Sequence, residues 1–399
     1  MRELRETEVV EWFETHVPSD WQRSVDSMSA EEYVEFQRNW LRTLNERGFG
    51  APGVPEKWGG GGYSLRDQAT IFAAGARVSA PPTDAFEVSL NHVPATLLTA
   101  GTPAQQERYV RGAIDGTVWC QGFSEPGAGS DLAALAARAV RDGDGWRITG
   151  QKTWSSHAAH AEHCLLLART DPNARRHAGI TYFILDMDQP GVQVRPIRQI
   201  HGPAEFCELF LDGAWVPDEN VIGEVNGGWA VAQATLAAER GPIALPTIER
   251  IGAELADLAS GLGPVEPADG PRPPLSRAQT DLAALLARQI AVRSLALDTV
   301  DLSERGSDGG QLNSVLKVGW SELLQEATSA AVLLAGERAL AESDSEHFLG
   351  YVSGRPGSDW LGSWAATIAG GANEIQLNII AERLLGLPRD PSRQPGGSR

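Results

Sequence analysis

The apolar residues of this chain change their period twice, and that change restricts the fold more than any single motif does. Over residues 1–118, Val9, Val10, Trp12 and Phe13, then Tyr33, Phe36, Trp40, Leu41 and Leu44, recur at helical spacing. Ser29 reads as a helix cap with Glu32 at the third helical position, and Thr102-Pro103 opens another helix with proline first. Gly48-Phe49-Gly50 ends a helix, and Pro52 to Gly62 is a glycine- and proline-rich loop. Between about Val118 and Gly223 short β-prone runs take over: 146–149, 164–168, 180–185, 192–194 and 208–211. Asp142-Gly143-Asp144-Gly145 has the composition of a tight hairpin connection. From Trp229 onward the pattern is helical again, rich in Ala and Leu. It breaks over 261–274 and resumes over 276–303, 311–341 and 360–385 as three long helices. The expected fold is α+β: an N-terminal helical domain (1–118), a small middle β-domain (119–228), a C-terminal four-helix-bundle-like domain (229–390) and a disordered tail (391–399). No short-period repeat interrupts this order.

Charge and cysteine content exclude several roles. A net charge of −18 argues against a nucleic-acid partner and against an anionic membrane surface. Cys120, Cys164 and Cys207 are odd in number and far apart in sequence, which speaks against a disulfide framework or a thiolate metal site. A reducing, cytoplasmic setting is expected. The first residues are charged and lack the apolar core of a secretory signal, and no apolar run reaches membrane-spanning length.

Three segments carry chemistry. Cys120-Gln121-Gly122-Phe123-Ser124-Glu125-Pro126-Gly127-Ala128-Gly129-Ser130-Asp131 is a loop whose glycines let backbone N–H groups approach a ligand closely, with hydroxyls at Ser124 and Ser130. Gly150-Gln151-Lys152-Thr153-Trp154-Ser155-Ser156 follows. Far downstream comes Gly370-Gly371-Ala372-Asn373-Glu374-Ile375-Gln376. In this order, with Glu208-Leu209-Phe210 to Val216-Pro217 and Gly227-Gly228-Trp229 leading to Glu239-Arg240, the chain resembles the acyl-CoA dehydrogenase family of flavoproteins from about Trp58 to Pro388. The resemblance implies FAD as cofactor and dehydrogenation of an acyl thioester, carried by CoA or a carrier protein, between its α and β carbons. It points to Phe123, Ser124, Gly129, Ser130, Trp154, Ser156, Gly371 and Glu374 on the cofactor side, with Trp154 stacked near the flavin ring and Ser156 close to its reactive edge. Ser130 and Arg240 fall to the substrate. An electron-transferring flavoprotein is the implied electron acceptor.

The base departs from the commoner family pattern. Where many members carry a glutamate before the glycine of the C-terminal motif, this chain has Gly370. A second subset places it on the first helix after the β-domain, before an arginine, and Glu239-Arg240 matches that placement. Glu239 is therefore the expected general base. The series His157, His160, His163 lacks an accompanying Cys or acidic pattern and lies in a loop entering a strand, so no metal site is expected. The segments that usually hold the ADP half of FAD are not recognisable: Pro271 to Arg277 and Ala335-Gly336-Glu337 stand in their place, and Ala372 and Leu377 replace a hydroxyl residue and an arginine common in the C-terminal motif. Two assemblies fit: a homo-oligomer using Arg272 or Arg277, or a heterotetramer whose second acyl-CoA-dehydrogenase-like subunit supplies the clamp. A flavin monooxygenase of the same fold and a non-catalytic partner subunit stand as alternative functions.

Overall fold

The computed structural model describes residues 4–238, 244–262, 275–305, 310–340 and 347–388. The chain divides into two compact units: Met1–Ile71, Val78–Glu239 and Glu342–Gly350 form the first, and Phe72–Arg77, Arg240–Ala341 and Tyr351–Arg399 the second.

Helices α1 (Glu6–His16), α2 (Trp21–Ser24), α3 (Ala30–Asn45), α4 (Leu65–Arg77), α5 (Val93–Ala100) and α6 (Pro103–Ile114) precede the sheet. Their starts follow local chemistry. Ser29 Oγ accepts from the Glu32 backbone N–H while Glu32 accepts from that of Ser29, and Thr102 with Gln105 repeats the arrangement ahead of Pro103. The Gln105 side chain also donates to the carbonyls of Glu219 and Val221, both at 2.7 Å, which ties the start of α6 to the far end of the sheet.

The strands are β1 (Trp119–Gly122), β2 (Arg138–Asp142), β3 (Gly145–Ser156), β4 (His163–Arg169), β5 (Ile180–Asp186), β6 (Val192–Ile197), β7 (Phe206–Pro217) and β8 (Val221–Ile222). They form one sheet in the order β6-β7-β3-β2-β4-β5-β8, with β1 beside β4. The Asp142–Gly145 connection is the expected hairpin, with Gly143 at φ 59°. β4 and β5 are buried on both faces, which is why they read as continuous apolar runs. Leu165 and Leu167 join a core with Val93, Leu97, Val110 and Tyr182, whereas Cys164, Leu166 and Ala168 join the opposite core with Ile148, Phe183 and Leu209. Cys120, Cys164 and Cys207, distant in sequence, lie together in that second core as free thiols.

α7 (Gly228–Ala238) returns across the first core. A Cβ at Gly228 would stand 2.5 Å from the Tyr182 nitrogen, so only glycine lets this helix begin against β5. Thr235 then closes a buried hydroxyl chain with Thr96 (2.6 Å) and Tyr182 (3.2 Å).

The second unit contains α8 (Leu245–Gly261), α9 (Arg277–Glu304), α10 (Gly310–Ala335), α11 (Pro356–Ser363) and α12 (Asn373–Ile379), with α10 packed against each of the other four. Its core is drawn from stripes such as Ile248, Ile251 and Leu255, and Leu316, Leu323 and Leu324.

Three expectations need correction. The four-residue run at 146–149 is part of a twelve-residue strand, so the Gly150–Ser156 motif is itself sheet. The helix expected over 311–341 is α-helical to Ala335 and continues as a 3₁₀ turn over Gly336–Leu340, the change falling where Gly336 turns left-handed at φ 58°. The third expected helix, 360–385, is broken into α11, a short 3₁₀ turn (Trp364–Thr367), α12 and a π turn (Ile380–Leu384). Gly370 and Gly371, at φ 64° and 92°, cannot continue a right-handed helix. Of the break expected over 261–274, α8 ends at Gly261 as expected, and residues 263–274, like the tail 391–399, lie outside the described residues.

Candidate functional site

The loop after β1 and the C-terminal half of β3 are brought together inside the first unit. The Thr153 N–H donates to the Ser124 carbonyl at 2.9 Å. Beneath that contact Lys152, fully buried, donates to the Phe123 carbonyl at 3.1 Å and to Glu125 Oε1 at 2.8 Å. Glu125 in turn accepts from the backbone N–H groups of Ala136 (2.6 Å) and Ala137 (2.9 Å). The loop is thereby fixed at its root from both sides. Burial pulls the Lys152 ammonium below its usual range, and Glu125 opposes that shift.

Above this anchor β3 departs from a regular strand. Its register with β7 shifts between Lys152 and Ser155, and Trp154 adopts φ 61°. The indole is 59% exposed, in edge contact with Phe206 at 6.0 Å. Trp154 is therefore not the core aromatic that a tryptophan in this position would otherwise be. Phe123 is the opposite case: its ring lies in the core against Tyr182 at 5.4 Å, which leaves its backbone to face the loop. Ser124 and Ser156 are half-buried, and Ser130 is exposed.

Gly127 and Gly129 test whether this surface suits a flat cofactor. Neither has a left-handed backbone, and a Cβ on either would meet nothing within 4 Å. Nothing within the chain requires glycine there, whereas a ligand lying against the loop would. An exposed indole beside an open glycine cradle fits an aromatic, hydrogen-bonding group such as a flavin.

The other expected site residues are distributed differently. Gly371 and Glu374 belong to the second unit, Glu374 being exposed in the first turn of α12. There Lys317 donates to Asn373 Oδ1 at 2.7 Å and Ser321 donates to the same oxygen at 3.1 Å, while Gln376 donates to the carbonyls of Gly370 and Gly371 at 3.3 Å. Burial lowers Lys317 to about 8, with Glu374 opposing. Glu239, Arg240 and Arg272 lie outside the described residues. Arg277 is exposed and paired with Asp281 at 2.7 Å.

The histidine series lies, as expected, in a loop entering a strand. His157 and His160 occupy the turn after β3, and His163 opens β4, packed on Trp119 and Tyr109. His157 instead faces Asp84 at 3.1 Å. Among the described residues no group of three or more His, Cys, Asp or Glu side chains is placed to hold a metal ion, and no helix is long and apolar enough to cross a membrane.

Residue-type reasoning passed over Lys152, Glu125 and Asp84. Lys152 lies in the half of β3 that was not expected to be strand, and its charge is buried against a partner 27 positions away. Asp84 and Glu125 gain their roles only through contacts far apart in sequence.

Comparison with known proteins identifies the family. Residues 2–117, 120–214 and 226–385 match the N-terminal, middle and C-terminal domains of acyl-CoA dehydrogenase. The chain is 39% identical over 374 residues to acyl-CoA dehydrogenase IpdE1 of Mycobacterium tuberculosis, covering 90% of each. Among solved structures it is similar to the Tcur3481-Tcur3483 steroid ACAD (28% identity, TM-score 0.82, covering 96% of this chain and 97% of that one). It is also similar to a chain of the ChsE4-ChsE5 complex from Mycobacterium tuberculosis (28% identity, TM-score 0.76, covering 98% and 100%). With three successive domain matches and a relative of that identity over nearly its full length, the chain belongs to the acyl-CoA dehydrogenase family of FAD-dependent oxidoreductases.

Proposed function

We propose that this protein removes hydrogen across the α and β carbons of an acyl thioester, borne by CoA or a carrier protein, with Glu239 as the α-proton base. The observation that carries the reading is the joining of the glycine loop to the exposed Trp154 through Thr153 and the buried Lys152–Glu125 pair. FAD, the cofactor of the family, supplies the acceptor for the β-hydride when bound. The chain's own groups divide the remaining work. Trp154 offers a stacking face, Ser124, Ser156 and the loop backbone offer hydrogen bonds to the ring, and Ser130 and Arg240 meet the substrate. The family resemblance assigns Gly371 and Glu374 to the cofactor. Glu239 takes the α proton, a role that water exclusion by bound substrate favours by raising its pKa.

A heteromeric assembly is the second part of the reading. The ADP-holding segments are unrecognisable in this sequence. Two similar solved structures bear the names of two-component complexes, Tcur3481-Tcur3483 and ChsE4-ChsE5, the first described as a steroid ACAD. We infer a partner subunit of the same fold that completes the ADP site, and a bulky or steroid-derived acyl group. An electron-transferring flavoprotein would take the electrons. A reductase-fed monooxygenase has less support, because it has no use for Glu239.

The test is the visible spectrum of the chain purified alone and co-expressed with a homologous subunit, followed by anaerobic addition of acyl-CoAs. Bleaching by one acyl class supports the reading. Glu239→Gln should retain yellow colour and lose about 10²–10⁴-fold in turnover, the usual weight of a general base. Unchanged bleaching in that variant, or substrate oxidation that needs reduced flavin and oxygen, would overturn it.

A further inference from the structure

The segment from Lys152 to His157 is held in an unfavourable shape. Trp154 and His157 both adopt positive φ, 61° and 53°, without being glycine, at about 1–3 kcal/mol each. Surrounding contacts must offset that cost. At one end Lys152 is fixed by Glu125 and the Phe123 carbonyl. At the other end the His157 N–H donates to the Glu205 carbonyl at 2.6 Å, and its ring Nε2 lies 3.1 Å from Asp84 Oδ2. Both side chains of that pair are nearly nine-tenths buried, 11% and 12% exposed. Asp84 is itself held: Oδ1 accepts from Gln37 Nε2 at 3.1 Å, and Gln37, fully buried, accepts from the Ala85 N–H at 3.0 Å. A second carboxylate, Glu205, bears on the same imidazole; neither its buried Oε2 nor Asp84 Oδ2 makes a hydrogen bond, so the His157–Asp84 contact is an ion pair.

We infer that His157 and Asp84 are positioning residues, an ionic clamp that fixes Trp154–Ser156 in the conformation that receives the flavin ring. The inference rests on the proposed function for the cofactor-side roles of Trp154 and Ser156. The clamp itself rests only on contacts within the first unit.

The charges around the imidazole set its pH response. Asp84 and Glu87 face it from the segment ahead of α5, Glu205 from the β6–β7 connection and His160 from its own turn. Burial presses His157 down, but the Asp84 contact, with Glu205 and Glu87, outweighs it and holds the ring above its usual 6.5. A raised histidine contributes stability that is full below 6.5 and is lost as the pH climbs through the folded-state value. The clamp should therefore be tight below pH 6.5 and slacken as the pH climbs through the raised value of His157. Burial holds Glu205 up, with His157 among the groups opposing it.

The experiment uses the full chain, with its partner subunit if the cofactor requires one. Histidine ring resonances, assigned with His157→Gln, give the titration of His157. The difference in tryptophan fluorescence between wild type and Trp154→Phe isolates Trp154, whose acrylamide quenching is followed across the same pH range. FAD affinity is measured beside them. Three results are expected: His157 titrates above 6.5 and shifts down in Asp84→Asn, Trp154 quenching changes with the same midpoint, and FAD binds about tenfold more weakly in Asp84→Asn and His157→Gln, the order for one lost charge-assisted contact. A His157 midpoint at or below 6.5, or quenching with no pH dependence near that midpoint, overturns the clamp. If Asp84→Asn does not fold, the wild-type titration and quenching decide alone. If Trp154 responds as expected while FAD affinity is indifferent to both variants, the proposed placement of the flavin fails and the clamp stands.

Discussion

Replacing Lys152 by methionine removes the cation that anchors the glycine loop while nearly preserving side-chain volume. Lys152 is fully buried and Glu125 is 8% exposed, with Nζ–Oε1 at 2.8 Å. The substitution leaves the Glu125 carboxylate buried with only the Ala136 and Ala137 N–H groups, and it strips the Phe123 carbonyl of its side-chain donor. Breaking a buried pair by deleting one partner costs about 3–5 kcal/mol, because the surviving charge keeps its desolvation penalty. In a unit of this size that is a fall in melting temperature of order 10 °C. Glu125→Gln should cost a similar amount by isolating the ammonium. The double variant should recover about 1–3 kcal/mol of the summed loss, since no unpaired charge remains. Thermal and urea unfolding of the four proteins, followed by circular dichroism, close the cycle. A Lys152→Met loss below about 1 kcal/mol, or strict additivity, would show that the pair is not the anchor described here.

Gly127→Ala should fold with stability unchanged or up to about 1 kcal/mol higher, since the site is open and alanine restricts the unfolded chain, yet bind FAD more weakly; equal FAD affinity would remove the cradle argument. Asp359 is 7% exposed and accepts from Ser353, Gly354 and Arg355, and burial still raises it to about 6. A raised carboxyl destabilises as it ionises, so wild type should lose up to about 3 kcal/mol relative to Asp359→Asn as pH rises from 4 to 6; a flat difference in urea midpoints would contradict this. Lys317→Met should cost less than about 1 kcal/mol, because it relieves a buried cation whose hydrogen-bond partner is the neutral Asn373. A loss several times larger on thermal unfolding would give that lysine a stabilising role. Ser29→Ala should cost about 1 kcal/mol through the lost capping box, read in the same melts.

Much of the fold was legible because it is written in short-range chemistry. The capping boxes at Ser29 and Thr102 and the Asp142–Gly145 hairpin need only neighbouring residues to form, and β4 and β5 announce themselves by their apolar, β-prone composition. The break at Gly370–Gly371 was missed because helical periodicity runs through it, and two left-handed glycines override that pattern. The length of β3 was missed because its second half holds Gly150, Lys152 and Ser155, poor strand formers whose pairing with β7 decides the outcome.

The candidate site divides in the same way. Sequence alone singled out the segments proposed for the site, since a ligand that needs close backbone approach needs glycine, and one that needs a stacking face needs an aromatic ring, wherever the chain later places them. Only the tertiary structure decided what those segments rest on. Lys152 meets Glu125 across 27 positions and His157 meets Asp84 across 73, distances over which local propensity carries no information. Burial then makes those pairs costly to break, and it is through them that the indole of Trp154 is held outward while the ring of Phe123 is packed in.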